Sequence, residues 1–180
     1  MRALVLLVAL LPLAPCAQPP AYHIDPAKTH AEFEVEHLGV LRAHGRFENL
    51  SGSLSYDASA QTGAIDLTIP VASVATGWGA RDQFLRGSSM FDAAQFPRMT
   101  FVSRRFEFEG GRVVRVEGDL TLRDVTRPVT LDVRTLHCDR DTCVAEASGA
   151  IRRREFAMDN WWPLIGDDVQ LSFRLAAVRD

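Results

Sequence analysis

The sequence predicts an all-β domain over residues 22–180, a single eight-stranded antiparallel barrel with a short helix near one end. The first observation is an alternation of apolar and polar residues with a period of two, which is typical of half-buried strands. The second is that turn signals such as Gly110-Gly111 and residues 124–128 separate the alternating segments at short intervals, which favours antiparallel neighbours. The third is that residues 77–92 leave the alternation and take a helical spacing.

The first element, residues 1–17, is predicted to be a secretory signal peptide. Arg2 supplies a short positive region, and residues 3–13 supply an apolar stretch that is followed by small residues. The stretch is shorter than the about 20 apolar residues of a membrane-spanning helix. We expect cleavage after Cys16 or Ala17 and export to the periplasm. A lipoprotein anchor on Cys16 is less favoured, because a proline precedes the cysteine where a small residue is usual.

About eight strand-like segments then supply the barrel. In chain order they are marked by Phe33 and Val35; residues 46–56; Ile65, Leu67, Ile69 and Val71; residues 100–108; Val114, Val116, Leu120 and Leu122; Val129, Leu131 and Val133; residues 143–151; and Val169, Leu171, Phe173 and Leu175. A sandwich fits the same pattern. Closure into a barrel is preferred because it removes exposed edges, and an eight-stranded barrel is about wide enough to hold one small ligand.

The segment at residues 77–92 predicts the short helix. One side of it would carry Trp78, Arg81, Phe84 and Leu85. Asp82 and Arg86 would face another side, and Gly87 is placed to end the helix. We expect the helix to plug one end of the barrel with its apolar side inward and Arg81 or Arg86 near the entrance. The alternative is a structural cap that touches no ligand.

Two cysteines predict a disulfide. Cys138 and Cys143 flank a polar four-residue turn between two strand-like runs, and such a pair is oxidised in an exported protein. The loop is short, so the bond is worth about 2 kcal/mol. The alternative is a pair of reduced thiols. A zinc site is not expected, because no second ligand pair with zinc spacing accompanies them.

Composition excludes several classes of protein. Apolar residues make up 47% of the 180 residues and charged residues 24%, which suffices for a buried core and is too few charges for a disordered chain. The net charge of -3 argues against nucleic acid as the main partner, because proteins that bind phosphate backbones carry a clustered basic excess. The three consecutive arginines at residues 152–154 are interpreted as a solvated strand end.

Five segments of the sequence form a specific run in order and spacing. They are "YHIDPAKTHAEFEVEHLGV", "HGRFENLSGSLSYD", "ATGWGARDQFLRGSSMFDAAQFPRMTFVS", "GDLTLRDVTRPVTLDV" and "IGDDVQLSFRL". The run covers nearly everything from Tyr22 to Leu175 and resembles the YceI-like family of exported polyisoprenoid-binding proteins. The resemblance implies a lipocalin-like barrel whose interior takes the tail of an isoprenoid lipid, a quinone or a related long-chain amphiphile, with no chemistry performed.

The sequence departs from the family pattern at four positions. Lys28 stands where a histidine is expected near the first strand, and Phe84 stands where the family often has histidine. Ser89 and Met90 replace the usual Asp and Phe before Phe91. These changes are expected to lie at the mouth of the barrel and to affect which head group is accepted.

The barrel is long enough to enclose several isoprene units. Burial of each methylene is worth about 0.8 kcal/mol, so about ten of them support micromolar binding before ordering costs, without a charged clamp. The residues predicted to line the lumen are Phe33, Val35, Leu67, Ile69, Phe101, Leu120, Leu131, Val133, Leu171 and Phe173. Ordinary core packing is the alternative for each of them. The small residues Ala145, Ala147 and Gly149 favour an open interior.

Two other classes of function compete with lipid binding. One is a histidine-based metal-binding protein: His30, His37 and His44 repeat every seven residues, which on a helix would form one stripe and a metal site, but strand patterning turns successive members to opposite faces. A solid-core interaction module would use the apolar cluster that includes Trp161 and Trp162, which otherwise line the ligand entrance. Neither a catalytic constellation nor a metal or cofactor site is expected. Transient membrane contact and a homodimer are further candidate associations.

Overall fold

The computed structural model describes residues 21–179, so the predicted signal peptide lies outside the described residues. Its strands are β1 Ala21–Ile24, β2 His30–His37, β3 Leu41–Phe47, β4 Ser51–Asp57, β5 Thr62–Pro70, β6 Arg98–Glu109, β7 Arg112–Leu122, β8 Val125–Cys138, β9 Thr142–Arg152 and β10 Ile165–Val178. The helix α1 spans Gly79–Arg86, and 3₁₀ turns span Val71–Ser73 and Arg153–Phe156. No helix within residues 21–179 has the length and apolar character needed to cross a membrane.

The ten strands form a closed antiparallel barrel of eight, because β1 with β2, and β3 with β4, each make one interrupted barrel strand. Neighbours follow chain order from β4 through β10. The strand β10 closes the ring: Ala177 and Val178 pair with β1, and residues 165–174 pair with β2. The predicted eight-stranded barrel with a short helix near one end is confirmed.

Local sequence explains the two interruptions. The carboxylate of Asp25 accepts a hydrogen bond from the backbone N–H of Ala27 at 3.0 Å, a turn that separates β1 from β2. Asn49, with φ of 59°, separates β3 from β4. Residues 46–56, predicted as one run, are therefore two strands. Consequently β2 and β3 build one end of the barrel, and β1 and β4 build the other.

The helical segment covers a gap in the sheet. The strand β5 ends at Pro70. On the side of β3 that faces away from β2, the pairing within the described residues is a single bridge between Arg46 and Ala75. The chain crosses this gap with α1 before it returns as β6. We call the end with α1 and the β2–β3 turn the wide end, and the opposite end the narrow end.

The narrow end carries the disulfide. Cys138 and Cys143 are directly paired residues of β8 and β9 with Cα atoms 4.0 Å apart, as the sequence predicted. The hydroxyl of Tyr22 donates to the carbonyl of Asp139 at 2.9 Å, which ties β1 to the same turn. One inward residue of β7 was predicted wrongly: Val113 is buried instead of Val114, because the β6–β7 register shifts beside Phe108.

Candidate functional site

A cavity of about 520 Å³ occupies the wide end of the barrel. Its mainly apolar wall is formed by β2, β3, β10 and α1, with contributions from the ends of other strands. Trp78 and His44 belong to this wall and are largely exposed, so the cavity opens to the surface beside α1. The predicted lumen residues in this wall are Phe33, Val35, Ile69, Leu120, Leu171 and Phe173.

The narrow end is nearly filled. The other predicted lumen residues surround a space of only about 60 Å³: Leu67, Phe101, Leu131 and Val133. Of these, Leu67, Phe101 and Leu131 are buried against their neighbours, so ordinary core packing describes them correctly. Phe173 borders both spaces and separates the hollow part of the interior from the filled part.

The run of small residues in β9 does not open the interior, and that prediction is wrong. Ala145 and Ala147 border the narrow space rather than the cavity. A Cβ added at Gly149 would lie 2.7 Å from the carbonyl oxygen of Thr130 and 2.9 Å from Cδ2 of Leu131, so the missing side chain allows β8 to lie close. Gly149 therefore accommodates the neighbouring strand β8 and leaves no additional space in the cavity.

The helix α1 contributes its predicted apolar side to the cavity. Trp78, which precedes the first turn, and Arg81, Phe84 and Leu85 all lie in the cavity wall. Leu85 is buried, and Trp78 is 63% exposed. The helix ends at Arg86 with Gly87 as its C-terminal cap, as predicted. It is therefore the cover of the wide end and a part of the cavity wall.

Asp82 ties the start of α1 to the preceding loop. Its carboxylate accepts hydrogen bonds from the hydroxyl of Thr76 and from the backbone N–H of Thr76, the latter at 2.8 Å. The Thr76 hydroxyl is the main cause that holds the pKa of Asp82 below its usual range, and nearby Arg86 and Arg81 act in the same direction.

The two arginines of α1 have different roles. Arg86 is outside the cavity wall and donates to the carbonyls of Ala72 and Val74, each at 2.9 Å, so it anchors the helix. Arg81 lies in the wall, donates to the carbonyl of Thr76 at 2.9 Å, and has its guanidinium 6.0 Å from the centre of the Trp78 ring. Of the two predicted entrance arginines, Arg81 alone borders the cavity.

Three phenylalanines form an aromatic wall beneath the helix. The ring centres of Phe33 and Phe47 are 5.5 Å apart, and Phe91 lies 5.3 Å from Phe47 and 6.2 Å from Phe33. Phe33 lies across Gly45 of the neighbouring strand, where an added Cβ would be 2.3 Å from the ring. The glycine therefore allows this ring to lie close to β3.

Arg153 corrects the interpretation of the arginine run. Arg152 and Arg154 are exposed, but Arg153 is 3% exposed and borders the cavity. Its guanidinium donates to the carbonyls of Met158, Asn160, Ile165 and Gly166. Burial lowers the pKa of Arg153. This side chain holds the loop before β10 in place and is not part of a solvated strand end.

Exposed apolar side chains surround the mouth of the cavity. We call them the rim: Leu38, Val40, Leu41, Trp78, Phe84, Trp161, Trp162 and Leu164. The rings of Phe84 and Trp161 pack edge to face, with centres 5.5 Å apart. The backbone N–H of Leu38 donates to the carbonyl of Leu164 at 2.8 Å. The β2–β3 turn, α1 and the loop before β10 thus form one continuous surface.

The histidine repeat and Lys28 do not form a common site. Nδ1 of His44 lies 3.3 Å from a carboxylate oxygen of Glu34, while His30 faces Glu32. Among residues 21–179 no group of three metal-ligating side chains converges. Lys28 is exposed, pairs with Asp25 at 3.2 Å and lies outside the cavity wall, so its predicted place at the mouth is wrong.

Several wall residues escaped the sequence analysis. They are Ala31, Phe47, Phe91, Met99, Leu122, Met158, Ile165 and Val169, with the polar His37, Thr76 and Arg153. Strand alternation carried a signal for Leu122 and Val169. Met158 lies in a loop, where no period indicates which side chain turns inward. Met90 and Phe84, two departures from the family pattern, do border the cavity.

Comparison with known proteins identifies relatives over most of the chain. A family model described as the YceI-like domain matches residues 22–177. A UPF0312 protein of Shewanella sp. strain W3-18-1 is 31% identical over 164 residues, covering 89% of this chain and 85% of that protein. The crystal structure of Burkholderia cenocepacia BcnA is 28% identical with a TM-score of 0.75, covering 86% of this chain and 99% of that one. A Saccharophagus degradans structure, described as a polyisoprenoid binding domain implicated in plant cell wall breakdown, has a TM-score of 0.70 at 20% identity, covering 89% and 99%.

Proposed function

The chain belongs to the YceI-like domain family, and on this premise we propose that it binds the tail of an isoprenoid lipid, a quinone or a similar long-chain amphiphile in the cavity of the wide end. The protein is a carrier or binding protein and performs no chemistry on the ligand. The observation that carries the proposal is the apolar cavity of about 520 Å³ that opens beside α1.

The cavity has the size and lining that this ligand class requires. Small-molecule sites measure about 300–1,000 Å³ and are lined mainly by apolar and aromatic side chains. Burial of a methylene contributes about 0.8 kcal/mol, so a tail of about ten buried carbons supports micromolar affinity. The solved Saccharophagus domain is described as polyisoprenoid-binding, and its TM-score of 0.70 at 20% identity supports a shared fold alone. The ligand class is transferred to this chain as part of our proposal.

The disulfide supports the expected export, and the hollow interior argues against a solid-core interaction module. A disulfide at the narrow end is typical of exported proteins, which supports the proposed periplasmic location. The solid-core interaction module required a filled interior, which holds only at the narrow end. Self-association into a homodimer stays a prediction, which the mass of the protein in solution would test.

Equilibrium binding of a radiolabelled isoprenoid quinone tests the proposed function. We expect micromolar binding by the wild type and a loss of at least about tenfold in Leu171→Trp, because the larger side chain fills the cavity. The matched control is Gln170→Trp, at the next residue of β10 and exposed on the outer face. Equal affinity in all three proteins would place the ligand outside the cavity, and absence of binding by the wild type would refute the function.

A further inference from the structure

We propose that the rim is a docking surface for a phospholipid bilayer, from which the cavity takes up its amphiphile. The inference rests on the lipid-binding function proposed above and adds the partner from which the ligand comes. Trp78 and Phe84 belong to both the rim and the cavity wall. A molecule that enters beside them passes directly from the docked surface into the cavity.

The tryptophans carry the first argument. The chain has three tryptophans. All of them lie in the rim: Trp78 is 63% exposed, Trp161 48% and Trp162 55%. Tryptophan is largely buried in most proteins, and contiguous exposed apolar surface marks an interaction site. Tryptophan is also enriched where a bilayer meets water, because its ring is apolar and its N–H is polar.

The rim is concentrated at one end of the molecule. Of the large apolar side chains exposed within residues 21–179, only Val102, Val144 and Val178 lie outside it. The rim segments 37–41 and 160–166 contain no Asp, Glu, Lys or Arg. These segments can therefore enter the boundary between headgroups and acyl chains without burying a charge.

Two of the rim residues occupy backbone conformations that do not suit a large apolar side chain. Leu38 has φ of 56° and Trp161 has φ of 66°, in the left-handed region that bulky residues rarely occupy. Asparagine or glycine fits such positions with less strain. The chain instead places a large, exposed apolar side chain at each of them, which a contact outside the folded monomer explains.

Cations next to the rim tryptophans favour a bilayer over a second copy of the chain. The guanidinium of Arg154 lies 5.2 Å from the centre of the Trp162 ring, and that of Arg81 lies 6.0 Å from the Trp78 ring. A cation beside an interfacial tryptophan lies at the depth of lipid phosphates, which its charge complements. A two-fold contact would instead bring Arg81 and Arg154 of one copy towards the same arginines of the other.

Intrinsic fluorescence tests the proposal directly, because every tryptophan reports from the rim. We expect vesicles of phosphatidylethanolamine and phosphatidylglycerol to shift the emission to shorter wavelength, and brominated phospholipids to quench it. Leu38→Asn should bind vesicles about tenfold more weakly, while its Tm stays equal or rises because asparagine tolerates the left-handed backbone. The matched control is Val144→Asn, which removes an exposed apolar residue outside the rim and should leave vesicle binding unchanged.

Three outcomes would overturn the proposal. One is a wild-type emission spectrum that vesicles leave unchanged, and another is vesicle binding by Leu38→Asn equal to that of the wild type. The third is a solution mass of two copies with emission already shifted before vesicles are added, which would assign the rim to self-association. Failure of the lipid-binding function looks different: the wild type would then dock on vesicles and still take up no quinone.

Discussion

The two ends of the barrel share their longer strands, such as β7 and β10, and differ in what fills them. The wide end encloses about 520 Å³ and the narrow end about 60 Å³. Phe101 at the narrow end is 2% exposed and borders only the small space of that end, whereas Phe33 at the wide end borders the large cavity. Alternation along a strand therefore decides which residues face inward. The structure that closes each end decides whether the inward side chains fill the interior at that end.

The two ends are closed by different structures. At the narrow end, short turns and the disulfide join neighbouring strands, and inward side chains meet across the barrel. At the wide end, β5 stops at Pro70 and α1 spans the resulting gap. A helix that is anchored at its ends by Asp82 and Arg86 covers a space without filling it. The opening and the cavity thus have one structural cause.

The largest expected difference between the ends concerns a phenylalanine in each. Phe101→Ala should lower the free energy of unfolding by about 3–5 kcal/mol, because it leaves a void in a packed region. Phe33→Ala should lower it by less than about half as much, because that ring already borders the cavity. Urea unfolding of both variants measures the difference. Equal losses would contradict the distinction between a filled and a hollow end.

The next effect concerns Arg153, which holds the loop before β10 at the wide end. Arg153→Met should lower the free energy of unfolding by about 3 kcal/mol, because three partly buried carbonyls lose their donor at about 1 kcal/mol each. Arg154→Met, at an exposed position, should change it by less than about 0.5 kcal/mol. Thermal unfolding of the pair provides the measurement. Similar losses would mean that Arg153 does not hold the loop before β10.

A smaller effect separates overpacking from cavity filling. Leu131→Trp should destabilise the fold by about 1–3 kcal/mol, because the narrow end has no room for the added volume. Leu171→Trp should change stability by less than about 1 kcal/mol, because its ring enters the cavity. Urea midpoints at constant m-value give the comparison. A reversed order would mean that the hollow end has been assigned wrongly.

The smallest effect is the pH dependence of the helix anchor. The pKa of Asp82 is lowered in the folded protein, so its carboxylate stabilises the fold above its ordinary pKa of 3.8, and this contribution is lost as the pH falls through the lower folded value. Asp82→Asn should therefore be less stable than the wild type at pH 7, with a difference that shrinks below about pH 4. Unfolding curves between pH 2 and 7 measure it; a difference independent of pH would exclude the carboxylate as the anchor.

The barrel could be predicted from the sequence because strands and turns are marked by patterns of neighbouring residues. Alternation and turn residues identified the strands, and helical spacing identified α1 and the side of it that faces inward. The resemblance to YceI-like proteins rested on several segments in order and was confirmed by the family match over residues 22–177. The break at Asn49 and the shift that buries Val113 are exceptions, because one residue in a left-handed or bulged conformation is enough to change the parity of a strand.

The division between hollow and filled ends lay beyond the sequence because it depends on contacts across the barrel. Gly149 suggested space, yet the Thr130 carbonyl and the Leu131 side chain of the neighbouring strand occupy it. Three adjacent arginines look equivalent in sequence, and only the path of the loop before β10 selects Arg153 for burial. Loop residues such as Met158 lack any period that would mark them as part of the wall.

The central claim is that the wide end holds one amphiphile, and native mass spectrometry of detergent-free protein tests it most directly. We expect the wild type to carry one lipid with a long hydrocarbon tail per chain, and Leu171→Trp, at equal stability, to carry none. Protein that stays free of lipid after exposure to bacterial membranes, or Leu171→Trp that carries as much lipid as the wild type, would contradict the account.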